Sequence, residues 1–210
     1  MAHELLKRDY IYRGKILDLS KNRFMSEGKG EVEIEIVHHN GGVGVLPVFE
    51  DKTVALVRQW RYALNRYSLE IAAGRIEPGQ TPEQSAHREL EEEVGFRARN
   101  LTKLCEFYVA PGYCEERLYV YLATELEESA QSLDDDEEIE VIRLPFTNAF
   151  DLVRSHEIDD AKIAAKRKCR LAALHGQGMQ PGAGAAGHDE SVRSRSVFTR
   201  LTKFPAMCGA

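Results

Sequence analysis

Hydrophobic and polar positions alternate in short pieces over the first third of the chain. Residues 10–12, 16–19, 32–37 and 43–49 read as strands, and Val32-Glu33-Ile34-Glu35-Ile36 has the period of two that marks a strand buried on one face. Gly41-Gly42 punctuates the pattern before the apolar stretch 43–49. Glu50-Asp51-Lys52 makes a turn and 53–59 returns as a second apolar run, so these two strands are expected to pair as an antiparallel hairpin in the core. The strongest helix spans 82–94. Thr81 is a suitable N-cap, Pro82 fits the first helical position, Gln84 completes a capping box, and Gly95 is a natural left-handed stop. Ala86, Leu90 and Val94 supply its buried stripe. Further strands are expected at 104–109, 117–123 and 139–144, with helices at 147–155 and from 160. Residues 176–187 hold five glycines and no periodicity, and are expected to be flexible.

Composition bounds what such a pattern can be. The chain has 210 residues, 43% hydrophobic and 30% charged, which suits one soluble domain with an appendage. No apolar run approaches the roughly 20 residues that span a bilayer, and the N-terminus lacks a signal-peptide core. A cytoplasmic protein with no membrane partner is therefore expected. Charge is unevenly spread. Residues 161–210 carry nine of the 28 Lys/Arg but only two of the 34 acids, leaving 19 basic and 32 acidic residues in 1–160, a net of -13. So acidic a body argues against a nucleic-acid partner and suits divalent cations. The four cysteines form no C-x-x-C pair and read as reduced thiols. The seven histidines form no ligand triad, and His38-His39 reads as an exposed strand end.

The helix at 82–94 carries Arg88-Glu89-Leu90-Glu91-Glu92-Glu93. With 3.6 residues per turn, Glu93 lies about 40° from Glu89 on one side and Glu92 about 60° on the other. Those three form an acidic stripe bordering the buried face, while Glu91 points elsewhere. Most glutamate runs are solvated helix faces. Partly desolvated carboxylates crowded together, however, call for a cation. The preceding Ala72-Ala73-Gly74-Arg75-Ile76-Glu77-Pro78-Gly79-Gln80 reads as a Gly/Pro-punctuated loop that could aim backbone groups at a ligand on the helix.

Residues 74–96 resemble the Nudix box, G-x5-E-x7-R-E-U-x-E-E-x-G-U with U apolar. Gly74, Arg88, Glu89, Leu90, Glu92, Glu93, Gly95 and Phe96 fall at the required spacing, and Gln80 stands where the pattern has Glu. Val57-Arg58-Gln59-Trp60-Arg61-Tyr62, Leu69-Glu70-Ile71-Ala72-Ala73-Gly74, Pro111-Gly112-Tyr113-Cys114-Glu115-Glu116-Arg117 and the acidic stretch Asp135-Asp136-Glu137-Glu138 are similar to the ADP-ribose pyrophosphatase branch. The resemblance covers about residues 5–165 and stops at Lys166-Arg167-Lys168.

That resemblance implies an α/β fold: a Nudix-type α/β/α sandwich with a mixed sheet, preceded by a small N-terminal antiparallel β region. It divides the chain into 1–40, a Nudix domain over 41–165, and a basic Gly/Ala-rich tail over 166–210. It implies an Mg²⁺-dependent hydrolase, with Mn²⁺ as the alternative ion, splitting ADP-ribose into AMP and ribose 5-phosphate. The competing readings are another nucleoside diphosphate sugar, such as ADP-glucose or GDP-mannose, or a non-catalytic nucleotide-sugar-binding regulator. By the same resemblance the metal ligands are the carbonyl of Ala73, Glu89, Glu93 and Glu137. Glu92 completes the stripe, the base is Glu137 or Asp135, and Arg88 braces the helix. Arg61, Glu70 and Glu116 are assigned to the substrate. Trp60, Tyr10 and Tyr12 are candidates for adenine stacking, although aromatics at strand spacing are more often core. A homodimer is implied, with N-terminal strands exchanged between copies and Glu35 directed toward the partner.

Overall fold

A computed structural model describes residues 3–133 and 137–164. The expected flexible segment and the basic tail lie outside the described residues, as does Asp135. The chain opens with three antiparallel strands in order β1-β2-β3: β1 (His3–Arg13), β2 (Asp18–Ser26) and β3 (Gly30–His38). Two further sheets make the body. One has the order β10-β5-β6, from β10 (Ile139–Pro145), β5 (Thr53–Arg61) and β6 (Arg66–Glu70). The other has the order β7-β4-β9-β8, from β7 (Ala72–Arg75), β4 (Gly42–Pro47), β9 (Arg117–Glu128) and β8 (Phe96–Tyr108). Among the described strands of the body β4 and β9 run parallel and the other pairs antiparallel, so the body is mixed as expected.

Helices cover both sides of the body. Val43, Val45, Ala55, Val57 and Ala72 pack with Ala86, Leu90 and Val94 from α1 (Pro82–Glu89) and the turn that follows it. Leu46, Val54, Leu56, Ile71 and Val120 face the other way. They pack with Ile158, Ile163 of α3 (Ala161–Ala164) and the apolar side of α2 (Phe146–Arg154). The α/β/α arrangement follows from strands that are apolar on both faces and need cover on each.

Three expectations are corrected. Stretches 43–49 and 53–59 do not form a hairpin: a lone Val48–Val54 bridge joins them, and they then part into different sheets. Near-continuous apolar runs carry no face information, so chain adjacency suggested a pairing that core burial overrides. Residues 72–75, read as loop, are instead strand β7, paired with β4 from Val45–Ala72 to Gly42–Arg75. The helix is also not regular to its end. The capping box forms as predicted, with Thr81 and Gln84 bonding reciprocally, but α1 gives way to a π turn over Leu90–Val94 before Gly95 stops it at φ 76°. Widened turns of this kind recur at functional sites.

Leu90 is fully buried where α1 passes into the π turn. Leu90→Ala is expected to cost about 2–5 kcal/mol, read as a lowered midpoint with unchanged slope in urea denaturation.

Candidate active site

Strand β7 and the end of α1 meet without room for an intervening side chain. A Cβ on Gly74 would overlap the Glu89 carboxylate, so the glycine admits that carboxylate against the strand backbone. One turn on, the Ala73 N–H donates to Glu93 Oε2 at 2.8 Å. The two glutamates are thereby drawn inward, Glu89 to 6% and Glu93 to 2% exposure. Glu91 is turned away, bonded by Arg97 and Ser129, as the helical spacing predicted.

Burial, with repulsion from nearby carboxylates added (Glu92 on Glu89, Glu89 on Glu93), raises both acids far above the ordinary carboxylate range, Glu89 to about 7 and Glu93 to about 8. Glu137, exposed on the segment before β10, contributes to raising each of them. Arg88 is bonded within this group. Its Nη1 donates to Glu92 Oε2 and its Nη2 to Glu89 Oε1, each at 2.6 Å, and Nη2 also reaches the Arg75 carbonyl at 3.1 Å. The expected brace is therefore present, spanning helix and strand. Gln80 takes no part in these bonds: its Oε1 accepts from Ser85 Oγ at 2.8 Å, and Arg88 Nε is buried without a partner.

Among the described residues no three His, Cys, Asp or Glu side chains already converge around a point that would hold an ion, since Glu89 and Glu92 turn onto Arg88. The donor chemistry nonetheless fits a hard divalent cation. The Glu93 carboxylate, almost fully desolvated, accepts from the neutral Ala73 amide, and the Glu89 and Glu92 carboxylates beside it offer further hard oxygen donors.

Arg61 and Glu70 are brought together. Arg61 Nε and Nη2 donate to the two Glu70 oxygens at 2.8 Å each, a bidentate fork. Sequence reasoning missed the rest of this cluster: Lys162 Nζ lies 2.9 Å from Glu70 Oε2 and 3.1 Å from Asp160 Oδ1. Burial alone would raise Glu70, but Arg61 and Lys162 outweigh it and hold the carboxyl down at about 2. Arg61 also lies within electrostatic reach of Glu93. Glu116 lies on the segment before β9, its Oε1 3.8 Å from His39 Nδ1. Trp60 packs edge-on against Tyr67 and Tyr10 lies against His38, and both rings stay more than a third exposed.

A family model described as the NUDIX domain matches residues 38–166. The chain belongs to the Nudix family. It is 40% identical over 167 residues to an ADP-ribose pyrophosphatase of Bacillus subtilis, covering 78% of this chain and 90% of that one. It is 35% identical over 132 residues to a GDP-mannose pyrophosphatase of Salmonella typhimurium, covering 59% of this chain and 69% of that one. A crystal structure of an ADP compounds hydrolase matches its fold with a TM-score of 0.74 at 24% identity, over 85% of this chain and 97% of the other. The expected Nudix sandwich, with a separate N-terminal antiparallel sheet, is thus met, and so is a Nudix hydrolase that uses a divalent cation.

The raised acids set a pH dependence. Without metal, the folded state holds the Glu89 and Glu93 protons more tightly than the unfolded chain, where the ordinary value is 4.5. Their contribution to stability is therefore full below about 4.5 and is lost as pH rises through about 7 and 8. Thermal unfolding of metal-free protein should show Glu93→Gln equal to wild type near pH 4.5 and more stable at pH 8.5. Equal melting at both pH values would remove the crowded-acid account.

Proposed function

We propose that this Nudix protein hydrolyses the diphosphate bond of ADP-ribose to AMP and ribose 5-phosphate, using Mg²⁺, with Mn²⁺ as a substitute. The observation that carries the reading is the pair of buried carboxylates, Glu89 and Glu93, seated against β7. The similarity to the Bacillus subtilis enzyme supports the choice of substrate. The Ala73 carbonyl, Glu89, Glu93 and Glu137 would hold the ion, with Glu92 beside them. Bound there, a divalent cation supplies charge neutralisation for the diphosphate and an acidified water.

The protein's own groups do the rest. Arg61 and Glu116 fix the substrate, and Glu70 holds the Arg61 fork in one orientation. Water attacks phosphorus, Glu137 or Asp135 takes its proton, and the bridging P–O bond breaks toward the departing phosphate. Of the two bases, Glu137 is favoured by its electrostatic reach to both Glu89 and Glu93. The similarity to a GDP-mannose pyrophosphatase supports a second reading, in which the same site takes another nucleoside diphosphate sugar. A silent, regulatory Nudix domain is disfavoured because Glu89, Glu92 and Glu93 are all present.

The division into 1–40, 41–165 and a tail over 166–210 belongs to the same proposal, as does a cytoplasmic location. Among the described residues no helix is long and apolar enough to cross a membrane. A homodimer is supported by the N-terminal sheet. Pairing puts Leu5, Tyr10, Phe24, Val32, Ile34 and Ile36 on one face around Ser20 and Asn22, with Arg8 the charged residue among them, and Leu5, Tyr10 and Ile34 are exposed. The opposite face carries the Lys21–Glu33 and Arg23–Glu31 ion pairs and Glu35. A second copy would cover the apolar face.

Protein incubated with ADP-ribose and Mg²⁺ should release AMP, and Glu93→Gln should abolish release while keeping the fold by circular dichroism. No AMP at any pH from 7 to 9 overturns the substrate assignment, and kcat/KM across a panel of nucleoside diphosphate sugars ranks the alternatives. For assembly, Ile34→Glu should shift a dimer to monomer in light scattering. A wild-type monomer at micromolar concentration would exclude the apolar face as a stable interface.

A further inference from the structure

The two consecutive histidines have an unassigned role. An isolated parallel bridge pairs Val37 with Cys114, bonded on both sides: Val37 N–H donates to the Tyr113 carbonyl at 2.8 Å and Glu115 N–H to the Val37 carbonyl at 3.0 Å. That register sets His38 beside Glu115 and His39 beside Glu116. His38 Nδ1 lies 2.6 Å from Glu115 Oε2, and His39 Nδ1 lies 3.8 Å from Glu116 Oε1. The histidine side chains are only 14% and 11% exposed, which corrects the expectation of an exposed strand end.

The first rung continues inward. His38 Nε2 lies 2.6 Å from Ser20 Oγ, and that hydroxyl lies 3.1 Å from Asn22 Oδ1, with both Ser20 and Asn22 fully buried. The order Ser–His–Glu resembles a nucleophilic triad, but a serine with no exposed surface cannot meet a substrate. The bonds instead tie the buried polar side of β2, the middle strand of the N-terminal sheet, to the segment between β8 and β9. On the second rung, His39 Nδ1 accepts from the Gly41 N–H at 3.0 Å, which fixes the ring at the start of β4.

We propose that His38 is a positioning residue. Through Ser20 on one side and Glu115 on the other, it locks the Pro111–Glu116 segment to β3, so that Glu116 is presented beside His39 for the sugar portion of the substrate. This rests on the reading of Glu116 given above. A carboxylate only accepts, so the His38 Nδ1–H donates to Glu115. The rest of the ladder is backbone pairing, so the side chain's share is to hold a short bridge closed against fraying.

His38→Ala and Glu115→Ala should speed hydrogen exchange at the Val37 and Glu115 amides at least several-fold, with unchanged exchange in the β4–β9 core. With the substrate the panel identifies, KM should rise about tenfold while kcat stays within about twofold, the signature of lost ground-state positioning. His38→Asn, whose amide can donate from near the Nδ1 position, should recover most of both effects. Unchanged amide exchange in His38→Ala overturns the ladder itself, and faster exchange with wild-type KM overturns its link to the substrate. Wild-type protein that turns over none of the panel would sink the hydrolase reading instead, and the exchange measurement then judges the ladder alone.

Discussion

Two carboxylates that cannot both be comfortably charged sit where α1 crosses β7, and much of the surrounding structure serves to keep them there. Glu89 and Glu93 are each pressed below a tenth exposed, one against Gly74 and the other on the Ala73 amide. A buried carboxylate without a cation is costly, and two together more so. The capping box fixes where α1 begins, the absence of a Cβ at residue 74 lets it approach, and Gly95 ends it in a left-handed turn. The π turn between them shifts the last glutamates relative to a regular helix, and Glu93 ends as one of the largest fully buried side chains.

A second group of buried charges shows the opposite solution. Glu70 is as buried as Glu89, yet it is pulled down to about 2 where Glu89 is pushed to about 7. The difference is the partner set. Glu70 has the Arg61 fork and Lys162, whereas Arg88 divides its donors between Glu89, Glu92 and a carbonyl. A satisfied buried pair rigidifies, while an under-compensated one stores affinity for a cation. The acidic surplus of residues 1–160 thus contains at least two populations, one neutralised by the fold and one left for a ligand.

What the sequence made legible follows from how local each signal is. Thr81, Pro82, Gln84 and Gly95 act on their own backbone neighbours, so the helix start and stop could be read directly. Helical spacing marked Glu89, Glu92 and Glu93 as one stripe, and the resemblance of Gly74 and Arg88 to Glu93 to the Nudix box singled out Glu89 and Glu93 within it. Apolar runs on two-faced strands gave no partner, which is why β4 and β5 were joined into a hairpin that does not exist. The four residues of β7 are too few to show a period beside the glycine and proline that follow. The π turn leaves no mark in side-chain type. Lys162 and Glu115 lie 92 and 77 residues from their partners, a separation no local pattern reports.

Those long-range contacts also change what the flanking pieces are for. The N-terminal sheet keeps its hydrophobic residues outward and its small polar ones, Ser20 and Asn22, buried in the middle lane. Asn22 Nδ2 has no partner there, a cost a free-standing sheet has no reason to carry. The polar lane becomes intelligible once Ser20 is seen to back His38, and His38 to hold Glu115. At the other end, α3 contributes Ile163 to the core and Lys162 to the carboxylate that orients Arg61. The N-terminal sheet sets the segment that carries Glu116, and α3 sets the charge balance around Glu70. The acidic pair, Glu89 at the end of α1 and Glu93 on the π turn, is left under-compensated, and a diphosphate-bound cation is the partner that would complete it.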